Sequence, residues 1–322
     1  MYKFLKLTSA ILLIFSCYAY SADKSPSGQL LVPLILETGD TATITKTITT
    51  ENVATGGDKN EVGIQGASNN EITNNSSISA GGSGIVVDDN ATIINTGTIR
   101  TRSNESSGVK IGGGTITNEG MITTSFIETK GIFGTGGALT VNNTGTISAE
   151  DGIYTNNSSI TINNNIGGVI SGIGWEESRG IYVTNTSATT TIINAGRITG
   201  VGTGIYVFGA DTTITNTNTG RILGTGALSE GIHLFSGGTV TNSGSITGIK
   251  YGISSKSGTA TITNTGTISG GDSDIYNNSQ LTLYNEQGKD GSDPLTLSGK
   301  LPISYTMKVT SDSDYGQLSA LS

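Results

Sequence analysis

The sequence predicts an all-β fold, namely a parallel β-helix (β-solenoid) of about ten three-strand coils with an N-terminal cap. The first observation is an Asn-centred word, clearest at 261–268, that recurs along the chain. The second is a shorter Gly-Ile word ahead of each copy, as at 204–207. The third is the spacing of the aligned asparagines, 21 to 30 residues, which is typical of stacked repeats.

Each unit has the pattern of short strands rather than of a helix. Ile205 and Val207 fall on one side of their segment, and Thr261 and Thr263 flank Ile262. β-Branched side chains fit a pleated surface better than a helix, and the intervening Gly and Asn supply tight corners. The pattern therefore predicts three short strands per unit, joined by corners.

Stacking is required because one unit has too few inward apolar side chains to form a core alone. In a stack, each Ile packs on its copy in the next coil, about 4.8 Å away. The recurrent asparagine suits an amide ladder along one edge, whereas unrelated Asn-rich turns would not keep this register. The predicted ladder comprises Asn95, Asn118, Asn143, Asn194, Asn216, Asn242 and Asn264.

Four segments divide the chain. Residues 1–21 have the anatomy of a secretory signal, with Lys3 and Lys6 before an apolar run and an expected cleavage near Ser21. Residues 22–62 are predicted to form an N-terminal cap and a first irregular coil, because open solenoid ends need cover. The repeats occupy 63–285, and 286–322 are predicted to form a C-terminal coil or linker.

Composition argues against several kinds of chemistry. Cys17 is the only cysteine and lies in the predicted signal, where a lipoprotein interpretation is the alternative. With His233 as the only histidine, a zinc site built from Cys and His is excluded. The formal net charge of −8 argues against nucleic acid as a partner. We therefore predict no metal and no cofactor.

Acidic pairs occur at 88–89, 150–151 and 176–177 and at Asp272/Asp274. The first two lie beside Gly-Ile words, which fits solvated corners and does not define a site. The segment 271–274 matches no calcium-loop signature. His233 aligns with Tyr182 and Tyr206, which predicts a solvent-facing stacking residue rather than a general base.

The longest coil, between Asn164 and Asn194, contains the only tryptophan beside two acids and an arginine. Insertions in solenoids map to loops on one face and often bind ligands, although Trp175 folded back as a local plug is the alternative. Outward tyrosines on successive coils predict an aromatic stripe that either supports the sheet or contacts a ligand. The candidate contacts are Trp175, Glu176, Glu177, Arg179, Tyr154, Tyr182 and Tyr206.

The signal, the repeated Asn-x-Gly-x-Ile coils, the cysteine-free mature chain and the closing segments 301–305 and 314–318 together resemble the passenger region of a classical bacterial autotransporter. The resemblance implies a right-handed parallel β-helix carried to the outer surface of a Gram-negative cell. It also implies a C-terminal outer-membrane β-barrel, and no such strand pattern follows here. We therefore expect a fragment or a truncated product, located at the cell surface when joined to a translocator and otherwise periplasmic or extracellular.

Two hypotheses about function follow. The first is a non-enzymatic passenger acting in adhesion or cell–cell aggregation, whose partners are surface glycans or proteins of a host or neighbouring cell, or a second copy. The second is a polysaccharide-degrading β-helix enzyme, a lyase or glycosidase, with a groove near Trp175. A structural stem is a further alternative. The fold alone does not choose between them.

Overall fold

The computed structural model describes residues 33–50, 61–124, 127–157, 159–289 and 292–321. These residues form a β-solenoid of about 11 turns, consistent with a right-handed parallel β-helix. The predicted fold class is therefore confirmed. The predicted signal, 1–21, lies outside the described residues, as do parts of the predicted cap. The described residues contain no helix that is long and apolar enough to cross a membrane.

Three parallel sheets form the walls, and each coil contributes one strand to each sheet in turn. Sheet 1 contains Leu34–Ile35, Ile64–Gln65, Ile85–Val87, Ser107–Ile111, Lys130–Gly134, Asp151–Thr155, Arg179–Val183, Thr203–Val207, Glu230–Leu234, Tyr251–Ser255, Ser273–Asn277, Leu295–Gly299 and Leu318–Ala320. Sheet 2 contains Thr41–Ile44, Glu71–Asn74, Ala91–Asn95, Gly114–Asn118, Ala138–Asn143, Ser159–Asn164, Thr189–Asn194, Thr212–Asn216, Gly237–Asn242, Thr259–Asn264, Gln280–Asn285 and Ser304–Met307. Sheet 3 contains Ile48–Thr49, Ser77–Ala80, Thr98–Thr101, Met121–Thr124, Thr146–Ala149, Val169–Gly172, Arg197–Gly200, Arg221–Gly224, Ser245–Gly248 and Thr267–Gly270. A short antiparallel pair, Val309–Ser311 and Asp314–Tyr315, lies near the C-terminal end.

The core consists of columns of aliphatic side chains that run along the solenoid. In sheet 1, Ile181 lies opposite Ile205, which in turn lies opposite Ile232, and all three are fully buried. Sheets 2 and 3 contribute equivalent columns, for example Ile214 and Ile222. Each inward residue therefore packs on its copies in the coils above and below, as the sequence predicts.

A glycine opens each sheet 1 word because the corner has no room for a side chain. A Cβ on Gly204 would lie 2.6 Å from the carbonyl oxygen of Gly231 and 2.8 Å from the γ2 methyl of Ile222. The same crowding recurs at Gly180, Gly231 and their other copies. The Gly-Ile word therefore needs its glycine because sheet 3 side chains closely approach the sheet 1 backbone.

The predicted asparagine ladder is present and is longer than the seven residues proposed from the sequence. From Asn74 to Asn264, each side-chain Nδ2 donates to Oδ1 of the next asparagine at 2.7–3.0 Å. All ten side chains, through Asn285, are fully buried. Nδ2 also donates to a carbonyl at the start of the next coil's sheet 3 strand, as from Asn194 to Arg221 at 3.2 Å. The ladder thus joins consecutive coils and fixes the corner between sheets 2 and 3.

The ladder ends differently at its two termini. In the first described coil, Ile44 occupies the position opposite Asn74, and the backbone N–H of Ser76 donates to Oδ1 of Asn74 instead. At the other end, the amide of Gln287 pairs with the backbone of Ile268. Its Oε1 accepts from the Ile268 N–H at 2.8 Å, and its Nε2 donates to the Ile268 carbonyl at 3.1 Å. A side chain thus covers the edge of sheet 3 as a neighbouring strand would.

Substituting Asn194 by alanine tests the ladder at its centre. The change removes the acceptor of Asn164 Nδ2 and the donor to Asn216 Oδ1. Asn164 Nδ2 keeps the carbonyls of Gly168 and Arg197 as acceptors, so Asn216 Oδ1 is the buried group left without a partner. Such a group costs about 1–3 kcal/mol, and we expect the free energy of unfolding in urea to fall by that amount. Asn156→Ala, at an exposed corner, is the control and should cost less than about 0.5 kcal/mol. Equal effects of the two changes would contradict the role of the ladder.

Candidate ligand-binding face

An aromatic column runs along the outside of sheet 1. Strand register places Phe133, Tyr154, Tyr182, Tyr206 and His233 on five successive coils. Neighbouring rings lie 5.3, 5.2, 5.4 and 4.2 Å apart between centroids, the first three pairs edge-to-face and the last stacked. The structure therefore brings together the three tyrosines predicted from the sequence and continues the column on both sides.

Two phenylalanines widen this column and were missed from the sequence. Phe208 lies 5.1 Å from Tyr206 and 4.8 Å from Phe235, measured between ring centroids. Phe208 and Phe235 each directly follow a sheet 1 strand. The sequence signal that could have predicted them is the Val-Phe or Leu-Phe pair at the end of the Gly-Ile word. Phe235 is 40% exposed, so the face offers apolar surface as well as packed rings.

Basic side chains lie over the rings at one end of the column. The Nζ atoms of Lys110 and Lys130 lie 5.7 Å from the ring centroids of Phe133 and Tyr154. The Arg179 guanidinium carbon lies 4.0 Å from the ring centroid of Tyr182. These are cation–π distances, and they place three cations among the rings of one face.

Asp151 holds Arg179 in place. Its Oδ1 accepts from the backbone N–H of Arg179 at 3.0 Å and lies 3.8 Å from the guanidinium nitrogen Nη1. Asp151 is only 7% exposed, so the expectation of a solvated acidic corner at 150–151 is wrong for this residue. Burial raises the pKa of Asp151 from 3.8 to about 6, although Arg179 and Lys130 partly oppose the shift. Sequence spacing gave no sign of this pair, because its members lie one coil apart.

The Trp175 loop connects the sheet 3 strand Val169–Gly172 to Arg179–Val183, beside the aromatic column. Trp175 is 56% exposed, and Glu176 and Glu177 are exposed as well. The loop is closed by Ser178, whose Oγ accepts from the Trp175 N–H at 3.0 Å and donates to the Ile173 carbonyl at 3.1 Å. Trp175 therefore points to solvent and does not fold back as a plug.

His233 is buried, contrary to the solvent-facing position expected from the sequence. It stacks on Tyr206 and is only 6% exposed. Its Nδ1 contacts Oε2 of Glu230 and lies 2.9 Å from Oγ of Ser254, which donates to the same Glu230 oxygen at 2.7 Å. A catalytic triad uses the two ring nitrogens for different partners, whereas Ser254 and Glu230 share Nδ1 and leave Nε2 unpaired. These three residues are present but not arranged as a triad.

Both carboxylate oxygens of Asp274 accept hydrogen bonds from the backbone. Its Oδ1 accepts from the Gly270 N–H at 3.0 Å, and its Oδ2 accepts from the Thr296 N–H at 2.7 Å. This buried carboxylate therefore ties two coils together. Among the described residues, no group of three or more His, Cys, Asp and Glu side chains could hold a metal ion.

Comparison with known proteins adds no relative: no protein-family model, curated protein or solved structure matches this chain. Fold and site define a β-solenoid with an aromatic and basic stripe on one face. We use the term sheet 1 stripe for Phe133, Tyr154, Tyr182, Tyr206, His233, Phe208 and Phe235 together with the basic side chains Lys110, Lys130 and Arg179.

Replacing Asp151 by asparagine tests the buried carboxylate. Because the folded-state pKa is raised above 3.8, the folded chain holds this proton more tightly than the unfolded chain, and stability falls as the pH rises through about 6. The free energy of unfolding of the wild type, relative to Asp151→Asn, should fall by about 2.4 kcal/mol between pH 4 and pH 7. Asp272→Asn, at an exposed corner, is the control. A difference that stays flat with pH would contradict the burial of the charge.

Proposed function

We propose that the chain is a passenger of the autotransporter type, carried out of the cell through the 1–21 signal. On this proposal it acts without catalysis in adhesion or cell–cell aggregation. The observation that carries the proposal is the sheet 1 stripe, which extends over at least five coils of a stiff rod beside the exposed Trp175. Exposed tryptophan, tyrosine and arginine are the side chains that dominate contact energies at interfaces.

The chemistry of the stripe favours surface glycans or proteins as partners. Ring faces and edges stack on apolar surfaces, while Lys110, Lys130 and Arg179 supply charge-assisted hydrogen bonds. Asp151 and Tyr182 hold Arg179 from two sides, so little side-chain freedom is lost on binding. A second copy of the chain is the other occupant that this proposal allows, with aggregation as the result.

Display on a bacterium that does not aggregate tests the proposal. The chain is fused to an outer-membrane translocator, and settling of the cells and their retention on epithelial cell layers are measured. Trp175→Ala should reduce binding about tenfold or more, as expected for an exposed anchor residue. Ile166→Ala is the matched control, because Ile166 is 74% exposed but lies between sheets 2 and 3.

Cells that display the folded chain and neither settle nor adhere would contradict the proposal. Equal losses in the two variants would show that exposed apolar area matters and the Trp175 loop does not. Surface levels are matched with an antibody before comparison.

The alternative is a polysaccharide-degrading enzyme, and one observation favours it. Asp151 has a pKa raised to about 6 beside Arg179, and a raised carboxyl pKa is a property of general acids. The exposed Glu176 and Glu177 would supply the second carboxylate. Release of reducing or unsaturated ends from acidic polysaccharides by the purified chain, abolished in Glu176→Gln/Glu177→Gln, would replace the adhesion proposal with this one.

A further inference from the structure

The outer face of sheet 2 carries two columns of side chains in unbroken parallel register. The first column contains nothing but threonine over nine coils: Thr92, Thr115, Thr140, Thr161, Thr191, Thr213, Thr239, Thr261 and Thr282. The second column lies two residues further along each strand and is mixed: it contains Ile94, Thr117, Asn142, Asn163, Ile193, Thr215, Thr241, Thr263 and Tyr284. Three neighbouring coils therefore present a complete Thr-x-Thr array at 213–215, 239–241 and 261–263.

The threonine hydroxyls of the first column are available to solvent. All nine side chains are exposed or half-buried, and none of their Oγ1 atoms makes a hydrogen bond within the described residues. The buried Ile and Val residues between the columns belong to the core, so the array stands on packed backbone.

The same face is free of charge. No Asp, Glu, Lys or Arg occurs in any sheet 2 strand from Ala91–Asn95 to Gln280–Asn285. The other two walls differ, since sheet 3 carries Arg197 and Arg221 and sheet 1 carries Lys130 and Arg179. A neutral face on a chain of net charge −8 favours an uncharged partner.

The columns form a rectangular lattice. Neighbouring coils repeat at about 4.8 Å, and positions two residues apart on a strand repeat at about 6.6 Å. The asparagine ladder, with nine steps of 2.7–3.0 Å at the edge of this same sheet, holds the coils to one spacing. A surface that repeats regularly in two directions suits a partner that does the same, and a crystal of water presents such a surface without any charge.

We infer that the sheet 2 face binds crystalline water, that is, the surface of ice. The hydroxyls of the array hydrogen-bond to lattice waters, and the methyl groups between them exclude disordered water. Threonine side chains have few χ1 rotamers, so a rigid array of them is ordered before binding and loses little entropy. The proposal does not depend on the sheet 1 stripe or on adhesion.

Ice recrystallisation assays with the purified full chain test the inference. We expect the folded chain to inhibit crystal growth and to shape single ice crystals, and a fluorescent derivative to label the prism plane. Thr239→Tyr/Thr261→Tyr should raise the inhibitory concentration about tenfold or more, because protruding rings separate the array from the lattice. Thr247→Tyr, on sheet 3 of the same solenoid, is the matched control and should retain inhibition.

Circular dichroism and urea unfolding establish that each variant is folded before it is scored. A folded wild type that neither shapes ice nor slows recrystallisation would overturn the inference, as would equal inhibition by Thr239→Tyr/Thr261→Tyr and the wild type. Binding to crystalline neutral polysaccharide without any effect on ice would assign the face to a solid glycan instead and would also overturn it. If Trp175→Ala loses cell aggregation and still shapes ice, the function of sheet 2 is separate from the one proposed for sheet 1.

Discussion

The structure depends on one constraint, the parallel register between a residue and its copy in the next coil. No single coil can bury enough apolar surface to fold alone, so stability resides in the interfaces between coils. The asparagine ladder makes that register specific. A slip of one residue would turn the amide to the outer face, and a slip of two would place it in an aliphatic column; both leave its neighbours in the ladder without partners. Glycines at the sheet 1 corner enforce the same register by excluding any side chain.

The three sheets share the same parallel register but carry different outward residues, because outward residues do not affect the core. Sheet 1 collects rings and cations, sheet 2 collects neutral threonines, and sheet 3 carries exposed arginines such as Arg197 and Arg221. Each outward residue is repeated at the coil spacing, so a single substitution in the repeat becomes a column. A solenoid can therefore carry two unrelated contact surfaces on one rod, and we propose separate partners for two of them.

The features that repeat from coil to coil could be predicted from the sequence. The positions of Asn95 through Asn264, the Ile columns and the alignment of Tyr154, Tyr182 and Tyr206 all follow from spacing alone. The sequence did not predict contacts that depend on how one coil differs from the next. The burial of Asp151 under Arg179, the burial of His233 by Tyr206 and Ser254, and the use of Gln287 as a strand substitute all require the neighbouring coil to be in place.

Distances between spin labels on the sheet 2 threonine column test the stacking account most directly. With Cys17 replaced by serine, cysteines are introduced at Thr140 and Thr239, four coils apart, and at Thr92 and Thr282, eight coils apart. A continuous parallel solenoid gives separations of about 19 Å and about 38 Å, since each coil adds about 4.8 Å. Separations that do not double between the two pairs would contradict a continuous parallel solenoid.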